Sequence, residues 1–234
     1  MSIISVKNLK KVYDPYGVSP KVAIKGLDLE VEKSEFVCVM GSSGSGKTTL
    51  VNILSSIDEA TRGTVLIDGK NLATMSETEK ALLRKSQIGF IFQNYNLIES
   101  LSIKDNILFA MRLNHVDLKQ QAKSLAALAK QLDIEDILDR YPSECSGGQQ
   151  QRGAIARALI MKPQIVFADE PTGNLDSLNA KELMELFVKI NRENKTTIVM
   201  VSHDSLVASY SMKMYYMHDG MISESVTRAT MSQE

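Results

Sequence analysis

The sequence predicts an α/β fold, a mostly parallel sheet carrying an inserted helical lobe. Short β-branched runs alternate with segments whose apolar residues recur at helical spacing. The runs Ile165-Val166-Phe167-Ala168 and Thr197-Ile198-Val199-Met200-Val201 bury well at every position, as strands covered on both faces do. Residues 94 to about 160 show helical spacing and no convincing strand. With 234 residues the chain can bury a sizeable core.

In chain order, Ile3–Val6 and Phe36–Met40 read as strands, and Leu50, Ile53, Leu54 and Ile57 place a helix over Leu50–Ile57. Val65–Ile67 and Ile88–Phe92 read as further strands. Leu125, Leu128, Ala129 and Leu132 mark a helix inside the lobe, and a second helical run follows residue 153. Strand Ile165–Ala168, a helix with Leu183, Leu186, Phe187 and Ile190 on one face, and strand Thr197–Val201 complete the alternation. Asp219-Gly220 between Met214–Met217 and Met221–Ile222 predicts a terminal hairpin. The expected organisation is a discontinuous core of residues 1–93 and 161–222, a helical subdomain of 94–160, and a polar tail of 223–234.

Composition excludes several classes. Glycine (13) and proline (5) are too sparse for a collagen-like or linker-rich chain. A net charge of −1 gives no global basic field for nucleic acid or anionic lipid. Two cysteines, Cys38 and Cys145, make no disulfide framework and are expected as reduced thiols. No apolar run approaches the roughly 18 residues of a membrane span, so work at a membrane would need another chain to cross it.

Residues 41–48 read Gly41-Ser42-Ser43-Gly44-Ser45-Gly46-Lys47-Thr48, the pattern G-x-x-x-x-G-K-[ST], between a strand and a helix. Its glycines let backbone amides curl around phosphate oxygens, and the helix N-terminus adds partial positive charge. Lys47 reaches the β- and γ-phosphates, and the Thr48 hydroxyl suits Mg²⁺. A phosphate loop alone fits kinases, GTPases and ATPases alike. The apolar strand ending in Asp169-Glu170 narrows the choice, because a parallel strand delivers its last residues to the sheet edge where the loop lies. Asp169 is expected to hold Mg²⁺. Glu170 is expected to orient and deprotonate a water, provided the chain turns there, and Pro171 and Gly173 supply turn residues.

Residues 145–152 read Cys145-Ser146-Gly147-Gly148-Gln149-Gln150-Gln151-Arg152, with Ser146 placed to cap the helix that follows. Here the chain resembles the ATP-binding subunits of ABC transporters, over nearly its whole length from Ser2 to about Ile222. The resemblance implies a P-loop NTPase (RecA-like) core with an N-terminal antiparallel β region. It implies that Tyr13 (with Tyr16 as fallback) stacks on adenine, and that Gly41 to Thr49 hold the triphosphate. It further implies that Gln93 touches Mg²⁺ or its water, that Asp176 lies in a loop crossing a dimer interface, and that His203 contacts the γ-phosphate. Lys47, Gln93, Glu170 and His203 are the expected catalytic set, and Thr48, Gln93 and Asp169 the expected metal set. Ser146, Gly147, Gly148 and Gln149 are expected to meet the nucleotide held by a second copy of the chain.

The same resemblance implies an ATPase that dimerises on ATP and drives a separate integral-membrane permease. Membrane contact would run only through that permease, at the cytoplasmic face, and no nucleic acid is expected. Ala168 to Asp176 is typical of the macrolide-efflux, lipoprotein-release and antimicrobial-peptide group. Leu54-Ser55-Ser56-Ile57-Asp58, the run Phe90 to Leu97, and Ala208-Ser209-Tyr210 look most like its bacitracin-type branch. Peptide-antibiotic export or detoxification, or a related efflux or lipoprotein-release task, is therefore expected; the alternative is a non-transporting ABC ATPase regulating a membrane signalling or cell-division complex. Three positions depart from the family pattern: Ser34 at a turn where glycine is frequent, Cys145 in place of leucine, and Gly153 in the signature helix. Ser34 would cost about 1 kcal/mol if its turn needs positive φ.

Overall fold

The computed structural model describes residues 2–227. Met1 and the stretch 228–234 of the expected tail lie outside the described residues. Two sheets form the frame. The smaller, antiparallel sheet is built from β1 (Ser2–Tyr13), β2 (Lys21–Glu32), β4 (Arg62–Ile67) and β5 (Lys70–Asn71), in the order β2-β1-β4-β5. The larger sheet has the order β10-β9-β3-β8-β7-β6. Its strands are β3 (Phe36–Met40), β6 (Ile88–Ile91), β7 (Ile165–Asp169), β8 (Thr197–Ser202), β9 (Lys213–His218) and β10 (Met221–Thr227). All of these pair in parallel except β10, which returns antiparallel along β9.

The central strands are apolar throughout because both of their faces are covered. Successive side chains on a strand point to opposite faces. Phe36, Val166, Ala168, Ile198 and Met200 pack on one side, with helices α3 (Ile103–Leu113), α5 (Gly147–Leu159) and α6 (Ser177–Asn194). Val37, Val39, Phe167, Val199 and Val201 pack on the other, with α1 (Lys47–Leu54) and the apolar face of the small sheet. Phe36 and Phe187 meet with ring centroids 6.5 Å apart at the centre of the first side. Helix α2 (Glu77–Gln87) precedes β6; α3, α4 (Leu118–Leu132) and α5 fill the chain between β6 and β7; α7 (Ser205–Ala208) follows β8. None of these helices is long and apolar enough to cross a membrane.

Several elements differ from the sequence expectation. β2 has no β-branched run to announce it. It shows instead the alternation Leu27, Leu29, Val31 (buried) against Asp28, Glu30, Glu32 (exposed), the mark of a strand with one wet face. Helix α1 starts three residues early, at Lys47, and stops at Leu54 rather than Ile57. Ser55 is its C-cap, Ser56 turns the chain at φ +58°, and Ile57 is 52 % exposed. Glu224–Thr227, expected as tail, pair with Lys213–Tyr216 instead, after an irregularity at Ser223. An edge strand exposed on its outer face needs backbone pairing but few apolar side chains, so its polar sequence concealed it. The Asp219-Gly220 hairpin is as expected, with φ +47° and +76°. Ser34 does sit at positive φ, +63°.

Candidate active site

Strand β3 lies between β8 and β9 and ends at Met40, just before the phosphate loop begins at Gly41. A side chain at Gly41 is sterically impossible: its Cβ would stand 2.3 Å from the Met217 carbonyl and 2.6 Å from Ser45 Oγ. Gly46, the N-cap of α1, holds φ +106°. It leaves the first amides of the helix without a side-chain cap, open to an anion. Lys47 is 5 % exposed and folded back on its own loop. Its Nζ donates to the carbonyls of Gly41 (2.8 Å) and Ser42 (3.0 Å) and lies 3.6 Å from Glu170 Oε1. Ser45 Oγ is buried without a hydrogen-bond partner, a polar atom that the fold itself leaves unsatisfied.

The two acidic residues arrive from β7, as their place after an apolar strand implied. Thr48 Oγ1 donates to Asp169 Oδ1 at 3.2 Å, which brings two hard oxygen donors together. Burial raises the Asp169 carboxyl above the ordinary carboxylate range, and the neighbouring Glu170 adds to this, while Thr48 and Lys47 oppose it. Glu170 takes φ +45°, rare for a residue with a Cβ. Its amide is held by the Val201 carbonyl (3.0 Å), and its own carbonyl accepts from Gly173 N (3.0 Å). This bend brings its carboxylate to the same side as Lys47, where Oε2 lies 2.9 Å from His203 Nδ1. Lys47, Thr48, Asp169, Glu170 and His203 therefore form one connected group.

Gln93 follows β6. Its side chain lies against Gly173, where a Cβ would come within 2.7 Å of Nε2. Asn174 Nδ2 donates to the Gln93 carbonyl at 3.0 Å and ties the two loops together. Ser146 caps α5 reciprocally with Gln149. Gly147 packs against the Tyr95 hydroxyl and Gly148 against Asn179. Among the described residues no hydrogen bond joins 146–149 to 41–49. Asp176 is the N-cap of α6, accepting from Asn179 N (2.9 Å) and Nδ2 (2.7 Å). Those bonds hold its carboxyl below the usual range and account for an acidic residue there without any ligand. Tyr13, the last residue of β1, is 39 % exposed, and its hydroxyl donates to Asp58 Oδ2 at 2.9 Å. Tyr16 is fully exposed.

The sequence profile of the ABC transporter family matches residues 24–173, a span that holds the phosphate loop, the 145–152 segment and both acidic residues. The chain belongs to the ABC transporter family. It is 44 % identical over 222 residues to the bacitracin export ATP-binding protein BceA of Halalkalibacterium halodurans, covering 95 % of this chain and 87 % of that one. It is also 44 % identical over 227 residues to the lipoprotein-releasing system ATP-binding protein LolD of Aquifex aeolicus, covering 97 % and 98 %. The dimeric structure of the ATP-binding cassette MJ0796 in a post-hydrolysis state, bound to ADP and Pi, superposes with a TM-score of 0.89 at 35 % identity, over 97 % of this chain and 99 % of that one. This ABC cassette is accordingly an ATP-binding ATPase, on a mixed α/β fold.

Four supporting contacts are not announced by the ABC motifs. Lys11 and Asp58 hold Tyr13, and Arg157 of α5 donates to the carbonyls of Tyr95 (3.0 Å) and Asn96 (2.6 Å), both at positive φ. Lys11 and Tyr13 sit two apart on one strand face, a signal visible in principle. Nothing local to Arg157 announced its partners, which lie 61 and 62 residues away.

Proposed function

We propose that this ATPase hydrolyses ATP between two copies of itself and so drives an integral-membrane permease, with peptide-antibiotic export or detoxification as the task and lipoprotein release or other efflux as the nearest relatives of it. The observation that carries the hydrolytic half is the bend at Glu170, which sets a carboxylate beside Lys47, His203 and the Thr48–Asp169 pair. In this reading residues 41–49 wrap the triphosphate, and Lys47 exchanges the Gly41 and Ser42 carbonyls for phosphate oxygens. Glu170 takes the proton of the attacking water as its oxygen bonds to the γ-phosphorus and the bond to ADP breaks. The donor set suits Mg²⁺: Thr48 and Asp169 offer oxygens, Gln93 a third. Among the described residues no cluster of three His, Cys, Asp or Glu side chains could hold a metal by itself. Bound there, Mg²⁺ would neutralise phosphate charge.

Because no hydrogen bond ties Ser146 to Gln149 to residues 41–49 among the described residues, a second chain is the natural donor of that element to each nucleotide. ATP then favours the closed pair, and loss of the γ-phosphate lets it open. We assign the core to residues 1–93 and 161–222 and a helical subdomain with the signature motif to 94–160, with Asn174 and Gln93 linking the two loops at the boundary. Membrane attachment through the permease is supported by an open groove of about 810 Å³ between α2, α3 and α5. Its lining includes the exposed Ile98 (40 %), Phe109 (42 %) and Leu113 (58 %), apolar surface that water does not favour. Purification of the tagged chain from detergent-solubilised membranes tests this. A multi-span protein should accompany it and be lost in Phe109→Asp with Leu113→Asp; a chain that brings down no membrane protein, or keeps it in that variant, refutes the assignment.

A further inference from the structure

The end of β1 and the loop after α1 are laced together more closely than a surface turn requires. Thr61 N donates to the Lys10 carbonyl (2.9 Å), and Thr61 Oγ1 accepts from Val12 N (3.0 Å). Within this lacing lies Lys11, only 9 % exposed. Its ammonium donates to Asp58 Oδ1 (2.5 Å) and to the Glu59 carbonyl (2.8 Å) and stands 4.7 Å from the centre of the Tyr13 ring. The other Asp58 oxygen takes the Tyr13 hydroxyl at 2.9 Å, and that hydroxyl is also 3.4 Å from Thr49 Oγ1 in the first turn of α1. One carboxylate thus joins a buried cation to a phenol, and the phenol touches the helix that begins at the phosphate loop.

We propose that Lys11 and Asp58 are positioning residues for adenine recognition: they lock the Tyr13 ring by its hydroxyl and cover one of its faces, so that the base stacks on the other. The inference rests on the reading of Tyr13 as the stacking residue and adds to it how the ring is fixed. A tyrosine at a strand end otherwise keeps its rotamer freedom and must lose it on binding. Here the folded chain has already ordered the ring. The ammonium over one face leaves a single face free and draws electron density through the ring, which favours stacking by an electron-rich base. The Thr49 contact sets the ring at a fixed distance from the triphosphate loop, so base and phosphates are read together.

The test is calorimetric titration with β,γ-imido ATP and, separately, inorganic tripolyphosphate, each with Mg²⁺, on the unaltered chain, Asp58→Ala, Tyr13→Phe and the double variant. Asp58→Ala and Tyr13→Phe should each weaken imido-ATP about three- to tenfold, the range expected for one aromatic contact. Tripolyphosphate should bind all four proteins alike. The double variant should lose no more than the worse single one, because both changes remove the same lock. Equal losses for both ligands, additive losses in the double variant, or no loss of imido-ATP would each overturn the proposal. Tyr13→Ala separates the two layers. Unchanged imido-ATP affinity in that variant defeats the stacking reading itself, whereas a loss there without a loss in Asp58→Ala or Tyr13→Phe defeats only the positioning role. Tyr13→Phe leaves every ion pair in place, so the comparison stands even if Asp58→Ala fails to fold.

Discussion

Glu170 Oε2 and His203 Nδ1 lie 2.9 Å apart, across the ends of two neighbouring parallel strands. With Glu170 ionised, Nδ1 carries the shared proton, and a neutral ring then has only Nε2 left, as an acceptor. His203 can donate to a phosphate from Nε2 only as the cation, or after Glu170 has let go. Each group therefore occupies the other in this arrangement.

Glu170→Gln keeps the size and the bend of the side chain but cannot accept a proton. ATP binding should persist, and turnover should fall at least a hundredfold, the lower end of general-base assistance. Phosphate release reports the loss, and sedimentation with ATP should show an accumulating dimer. Normal steady-state hydrolysis would remove Glu170 from the base role.

Lys47 is buried, and its ammonium donates to the Gly41 and Ser42 carbonyls and pairs with Glu170. Lys47→Ala should weaken ATP binding by more than tenfold, because a charge-assisted bond to phosphate is lost. Titration with imido-ATP measures this, and unchanged affinity would undo the phosphate-loop assignment.

Burial alone would push the Asp58 carboxyl up, but the Lys11 ammonium, the Glu59 amide and the Tyr13 hydroxyl together hold it below the ordinary range. Its folded-state pKa is thus the lower one, and the unfolded chain binds the proton more readily. The stability it contributes is present in full above the unfolded carboxylate value of about 3.9 and is lost as pH falls through the folded value. Asp58→Asn should melt below the unaltered chain at pH 7, and the gap should close on acidification. Thermal scans across that range check the sign; a gap that widens in acid contradicts it.

Ser34 holds φ +63°, a conformation that costs a residue with a Cβ about 1–2 kcal/mol. Its hydroxyl donates to the Lys195 carbonyl (2.9 Å), and its amide donates to Thr197 Oγ1 (2.9 Å). Ser34→Gly removes the strain together with the side-chain bond, so stability should change by less than about 1 kcal/mol. Ser34→Ala keeps the strain and loses the bond, and should cost about 1 kcal/mol. Denaturant midpoints of the two variants distinguish these outcomes.

Gly153, also unusual for the family, has a visible reason. A Cβ there would meet Ile103 Cγ2 at 3.3 Å, so glycine lets α3 and α5 approach closely. Cys145 is buried, and burial raises its thiol.

What the sequence determined by itself was whatever is written in consecutive residues. The strand–loop–helix around Gly41 to Thr48 was legible because backbone geometry and phosphate chemistry both act locally. Asp169 and Glu170 were legible because a parallel strand delivers its end to a known edge of the sheet. β2 was legible only in its alternation, and β10 only in its first two residues, Met221–Ile222, since backbone pairing at an exposed edge asks little of the side chains. Tertiary structure alone decided the rest. The turn after Glu170 was written locally, in Pro171 and Gly173, but the bend is fixed against the distant strand β8, whose Val201 carbonyl holds the Glu170 amide. Lys11 meets Asp58 across 47 positions, and Arg157 meets Tyr95 across 62, through strand register and helix packing. Such pairings depend on where two distant segments come to rest when the core closes, and that is settled by the burial of all the other residues together.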